Sequence, residues 1–98
     1  MSVAIKQRTV ERDPYMTVKV SDPNRHRTVV LEGLRASATV PEIRARAIAA
    51  LSLPPEIDWN VRQERSGRLL RDDQRLRDLV DDQTPQAELT MQPDASLG

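Results

Sequence analysis

Thr39-Val40-Pro41-Glu42-Ile43-Arg44-Ala45-Arg46-Ala47-Ile48-Ala49-Ala50-Leu51, continued by Ser52-Leu53-Pro54-Pro55, reads as a helix with both ends marked. The Thr39 hydroxyl is placed to accept the amide of Glu42, and the Glu42 side chain to return a bond, which is the capping-box pattern. Pro41 in the first turn costs no intrahelical bond, because amides there have no partner. Val40, Ile43, Ala47, Ala50 and Leu51 fall on one helical stripe, flanked by Arg44 and Arg46. The small alanines predict a helix lying close on a sheet, and Pro54-Pro55 ends it.

On the N-terminal side, Met16, Val18 and Val20 alternate with Thr17, Lys19 and Ser21, the period of a half-buried strand. Asp22-Pro23-Asn24 is turn chemistry, and Thr28-Val29-Val30-Leu31 is a β-branched run ending near Gly33. Together they predict a β-hairpin. Residues 1–14 are polar and read as a flexible extension closed by Pro14, with a short edge strand at Val3–Ile5 as the alternative. Beyond the helix, Trp59, Val61 and Gln63 alternate, with Trp59 a partly buried sheet residue and a candidate for an interface. Ser66-Gly67 is a turn, Arg68-Leu69-Leu70 a very short strand, and Arg71-Asp72-Asp73 a charged turn. Gln74–Val80 is one helical turn that sinks Leu76 and Leu79, and Glu88–Gln92 a last strand with Leu89 and Met91 on one face. The predicted class is α+β: a ββαββ mixed sheet around one helix, with a short helical turn before the last strand. The domain is expected over 15–92, with an extended tail at 93–98.

Ninety-eight residues make one domain with a modest core and no room for a deep pocket. No Phe, one Trp and one Tyr leave that core to Val, Leu, Ile and Met. Fifteen cations balance fifteen anions, so no global field draws the chain to nucleic acid or an anionic membrane. Only Lys6 and Lys19 offer side-chain amines; the Arg-rich remainder suggests a GC-rich bacterial genome. Without cysteine there are no disulfides, thiolate nucleophiles or thiolate metal ligands. No signal-peptide core and no bilayer-spanning apolar run is present, so the expected location is cytoplasmic.

The tail Pro93-Asp94-Ala95-Ser96-Leu97-Gly98 holds nothing that packs and stops on glycine. A residue without Cβ lets a chain end enter a narrow channel and leaves its carbonyl open to attack. Six extended residues at about 3.3–3.6 Å each span ~20 Å, enough to reach into an enzyme that docks on the domain. His26, between Arg25 and Arg27, has no second ligand nearby in sequence and reads as a solvated loop residue. Asp72-Asp73 and Asp81-Asp82 are neighbours in turns rather than facing carboxylates. Arg62, Arg65, Arg68, Arg71, Arg75 and Arg77 interleave with acids, as on a mixed solvated face or a docking surface for a partner enzyme.

The element order and several segments resemble the ubiquitin-like β-grasp family over residues 16–98. Met16-Thr17-Val18-Lys19-Val20 is similar to ubiquitin's opening strand, and Thr39 to Pro55 to its capped helix and double-proline exit. Gly67 to Asp78 is similar to the segment from a glycine turn to a Leu-x-Asp turn. Leu89-x-Met91 and the spacing to Gly98 resemble the last strand and tail. Asp58-Trp59-x-Val61-Arg62 with Ser66-Gly67 looks closest to the bacterial ubiquitin-like proteins. The chain departs from the family too: Leu97-Gly98 stands for Gly-Gly, and Asp94 for a tail arginine. Arg68 stands for the lysine most used in chain building. The positions of ubiquitin's apolar patch fall near Pro23, Arg62 or Glu64, and Gln92, so that patch is mostly polar.

The resemblance implies a modifier that is not itself an enzyme and binds no cofactor. A partner activating enzyme would spend ATP and magnesium on the Gly98 carboxylate. A conjugating enzyme and a deconjugating peptidase would be further partners, with Leu97 beside the reacting carbonyl. Pro93, Asp94, Ala95 and Ser96 would form the enzyme-recognition tail; Arg62, Glu64, Arg68 and Gln92 the docking face; Lys6 and Lys19 the chain-linkage amines. In the bacterial group this chemistry is associated with defence against phage. Two other readings stand beside it: a β-grasp adaptor that never conjugates, and a sulfur carrier, whose relatives end in Gly-Gly.

Overall fold

The computed structural model describes residues 14–81 and 86–94. Strand β1 (Tyr15–Ser21) and strand β2 (Thr28–Arg35) form the predicted antiparallel hairpin. Val18 and Val20 are fully buried and Met16 half-buried, as the alternation requires. The register breaks between Met16↔Leu34 and Val18↔Leu31, so Glu32 and Gly33 oppose Thr17 alone. Gly33 takes φ +78 there, a conformation that only glycine adopts freely. The glycine read as a strand end is therefore a bulge, and β2 continues to Arg35.

Helix α1 (Val40–Leu51) carries the complete capping box: Glu42 N donates to Thr39 Oγ1 and Thr39 N to Glu42 Oε1, both at 3.4 Å. Val40, Ile43, Ala47 and Leu51 are buried, whereas Ala50, at the edge of the stripe, is exposed. The helix closes before the prolines. Ser52 turns left-handed at φ 55, Leu53 N reaches Ile48 O at 3.0 Å and Ser52 N reaches Ala49 O at 3.3 Å, a Schellman closure.

Strand β3 (Trp59–Gln63) and strand β4 (Ala87–Pro93) complete a four-stranded mixed sheet in the order β2-β1-β4-β3. β4 runs parallel to β1 and antiparallel to β3. A parallel central pair needs a long crossover, and α1 lies within it. The helix stripe meets Val18, Val20, Leu31, Leu34, Val61, Leu89 and Met91 in one core, to which Trp59 adds its indole. The 3₁₀ turn Leu76–Leu79 sinks both leucines, as expected. It is held by Leu76 N to Ala38 O and Arg77 N to Ala36 O, both at 2.8 Å.

Two boundaries and one burial differ from the sequence reading. Arg68–Leu70 is no strand; it makes the single bridge Arg62↔Leu69. Trp59 is 7% exposed, with its indole N–H on Pro54 O at 2.9 Å, so it is a core residue and offers no interface. Pro93 belongs to β4, opposite Trp59, and Asp94 N still bonds Asp58 O at 2.8 Å. Having no amide, proline fits a strand end. The domain thus runs through Asp94, and at its other end Pro14 O accepts Ala36 N at 2.8 Å. The rest of the predicted N-terminal extension, with the alternative strand at Val3–Ile5, lies outside the described residues.

Candidate functional site

Alternation along the strands puts Lys19, Ser21, Thr28, Val30, Glu88, Thr90, Asn60, Arg62 and Gln92 on the sheet face away from α1. On that side stands Glu64, just past β3, tied to β4 by Glu64 N to Glu88 O at 2.9 Å. Its Oε1 accepts Arg25 Nη2 at 2.5 Å. Its Oε2 accepts Arg62 Nη2 at 3.3 Å and the Thr90 hydroxyl. Three elements, the β1–β2 turn, β3 and β4, converge on one carboxylate. Thr90 is left 3% exposed under that cover, although it faces outward. The Thr90 hydroxyl bond holds the Glu64 carboxyl below its ordinary value, helped by the Arg25 and Arg62 guanidiniums and opposed by partial burial.

Arg25 reaches Glu64 from a left-handed backbone, φ 60, an uncommon state for a residue with a Cβ. Asp22 builds that turn: its carbonyl accepts Arg25 N at 3.0 Å and its Oδ1 accepts His26 N at 2.8 Å. Of the predicted docking residues, Arg62 and Glu64 are brought together. Gln92 sits half-buried opposite Asn60, and Arg68 is exposed in the turn, its carbonyl accepting Gln63 N at 2.9 Å. Pro23 and His26 are exposed in the hairpin turn, and Lys19 is exposed between Val30 and Glu88. Elsewhere some of the interleaved charges pair, Arg71–Asp73 at 3.0 Å and Arg65–Asp81 at 3.3 Å, and Asp72 takes Arg44 at 2.5 Å. Asp72 and Asp73 thus each sit on a separate arginine. Among the described residues no group of His, Cys, Asp or Glu could hold a metal, and no helix is long and apolar enough to cross a membrane.

The sequence reading missed Arg25 and Thr90, and also Arg35, whose guanidinium lies 4.6 Å over the Tyr15 ring and donates to its hydroxyl at 2.9 Å. Arg25 and Glu64 are 39 residues apart, so no local spacing announces the pair. Lys6 and the tail positions Ala95, Ser96, Leu97 and Gly98 lie outside the described residues.

The second region of interest is where β4 ends. The Asp58–Asp94 bond and the Trp59↔Pro93 pair set the last strand against the segment Pro54–Asp58. The chain after Asp94 therefore starts from a fixed root, beside exposed Pro54, Pro55 and Ile57.

A four-stranded mixed sheet holding one capped helix, with the last strand central and its exit pinned, is the ubiquitin-like β-grasp. Among solved structures the chain is similar to the ubiquitin of Caldiarchaeum subterraneum, with TM-score 0.64 and 23% identity, over 87% of this chain and 100% of that one. No protein-family profile matches the chain, and no curated protein does.

Proposed function

We propose that this chain is a ubiquitin-like protein modifier, itself not an enzyme, with Gly98 as acyl donor in a cytoplasmic, bacterial conjugation pathway. The observation that supports the reading most is the fixed tail root. β4 is a central strand paired on both sides, and the chain is handed out of it at Asp94, four positions before Gly98. In this reading a Gly98 carboxylate oxygen attacks the α-phosphorus of ATP on an activating enzyme, and pyrophosphate leaves. A thiolate of that enzyme then attacks the acyl carbon and expels AMP. An amine on the target finally displaces the thiolate to form an amide. The domain provides a handle and a tail; the nucleophiles and the magnesium belong to the partners.

The test is intact-mass analysis after incubation with an adenylating enzyme from the same genome and ATP, comparing wild type with a Gly98 deletion. Wild type alone should yield enzyme-linked and target-linked adducts. If both proteins behave alike, the modifier reading fails and a non-conjugating adaptor takes its place. An oxygen-to-sulfur mass gain on wild type, with no larger conjugates, would instead mark a sulfur carrier.

A further inference from the structure

The net charge of zero hides an uneven layout. No Lys or Arg occurs from residue 47 to 61 or from residue 78 to 98, although the chain carries fifteen. These two stretches meet at the tail root, through Trp59↔Pro93 and Asp94 N on Asp58 O. The ledge there presents the exposed apolar surface of Pro54, Pro55 and Ile57, the last 40% exposed. Glu56 and Asp58 flank Ile57, and neither carboxylate has an ion-pair partner among the described residues. The ledge is also held in place: the Trp59 indole bonds Pro54 O, and Ile57 N bonds Pro54 O at 3.4 Å. The Arg25 side chain is engaged by Glu64 on the sheet face.

We infer that the ledge Pro54–Asp58 is a docking surface for the partner that handles the tail, and that this partner meets it with a cationic, apolar-centred surface. Ile57 is the apolar anchor, and Glu56 and Asp58 are the charges that steer and register the partner. The ledge is continuous with the root of the tail through Asp94 N on Asp58 O, so a partner seated on it also meets Asp94. An anionic or merely neutral partner surface would leave Glu56 and Asp58 facing like charge or no partner. This inference rests on the modifier reading for the identity of the partner, but not for the chemistry of the surface.

Two measurements test it, and they separate the two ideas. The first uses the full chain alone with the acetylated, amidated peptide Arg-Leu-Arg-Leu-Arg as probe, read by amide chemical shifts. Shifts should concentrate at Glu56, Ile57, Asp58 and Asp94 and disappear in the double variant Glu56→Lys/Asp58→Lys. The exposed Asp72–Asp73 pair is the control for unspecific attraction; equal shifts there, or none at the ledge, overturn the inference. The second is ATP–pyrophosphate exchange by the activating enzyme. Glu56→Lys/Asp58→Lys should raise KM for this chain about tenfold with kcat unchanged, while Asp72→Lys/Asp73→Lys, of equal net charge, should not. Equal KM effects from the two double variants also overturn the ledge. No exchange with wild type overturns the modifier reading and leaves the peptide result to decide the surface.

Discussion

Glu64 takes two guanidiniums and a hydroxyl on one carboxylate, and its titration follows from them. Its folded-state pKa lies below the ordinary 4.5, with the Thr90 hydroxyl the first cause. The unfolded chain therefore binds a proton more readily than the folded one, and unfolding takes protons up. The stability that Glu64 contributes is fully present above the ordinary carboxylate value and is lost as pH falls from there through the folded value. Urea midpoints followed from pH 7 down to pH 3 should show a steeper acid loss for wild type than for Glu64→Gln; identical slopes would remove Glu64 from the acid response. Thr90→Val keeps the side-chain shape and removes the leading cause. The Glu64 carboxyl titration, followed by NMR, should then move up toward the ordinary value. Arg62 and Glu64 already stood together in the sequence as candidate docking residues, but their other two partners did not. Arg25 stood only as a flank of His26, and Thr90 as one outward position of a strand. Their meeting depends on the hairpin turn folding back across β1 and β4, which no spacing encodes.

The elements were more legible than the contacts. Helix α1 carries its cap, stripe and closing residues within seventeen consecutive positions, Thr39 to Pro55, and local signals fix local structure. Thr39→Ala removes the acceptor of the Glu42 amide and should cost about 1 kcal/mol in chemical denaturation, with little change in the unfolding slope. The strands were placed by alternation, but their ends were set by partners. β2 passes Gly33 because a bulge absorbs it, and β4 takes in Pro93 because Trp59 stands opposite. Leu69 fails to extend a strand, since only one bridge to Arg62 forms. At Gly33 an added Cβ meets nothing within 4 Å, so any penalty is backbone strain at φ +78. Gly33→Ala should therefore cost about 1–2 kcal/mol with the core undisturbed, which unchanged methyl shifts of Val18 and Leu31 would check. A larger loss accompanied by core shifts would mean that the bulge also sets the packing beneath it.

At the scale of the whole molecule, one core joins every element, aliphatic apart from Trp59. Ile43 is fully buried at the centre of the helix stripe, so Ile43→Ala should cost about 2–5 kcal/mol, through lost transfer energy and the cavity left behind. Trp59, the one indole and 7% exposed, reports on that unfolding by fluorescence without added label. The mixed sheet has a mechanical consequence too. β4 lies between β1 and β3, and its C-terminal end is the point from which the tail departs. A motor hauling on the tail would load β4 along its own axis. The parallel ladder to β1 and the antiparallel ladder to β3 both lie along that pull, so their bonds share the force and must give way together. A strand at the edge of a sheet, tugged sideways, peels one bond at a time. Attached to a target through Gly98, this domain would act as a stiff stopper on the thread: hard to drag through a narrow pore by its tail, and far easier to remove by cutting.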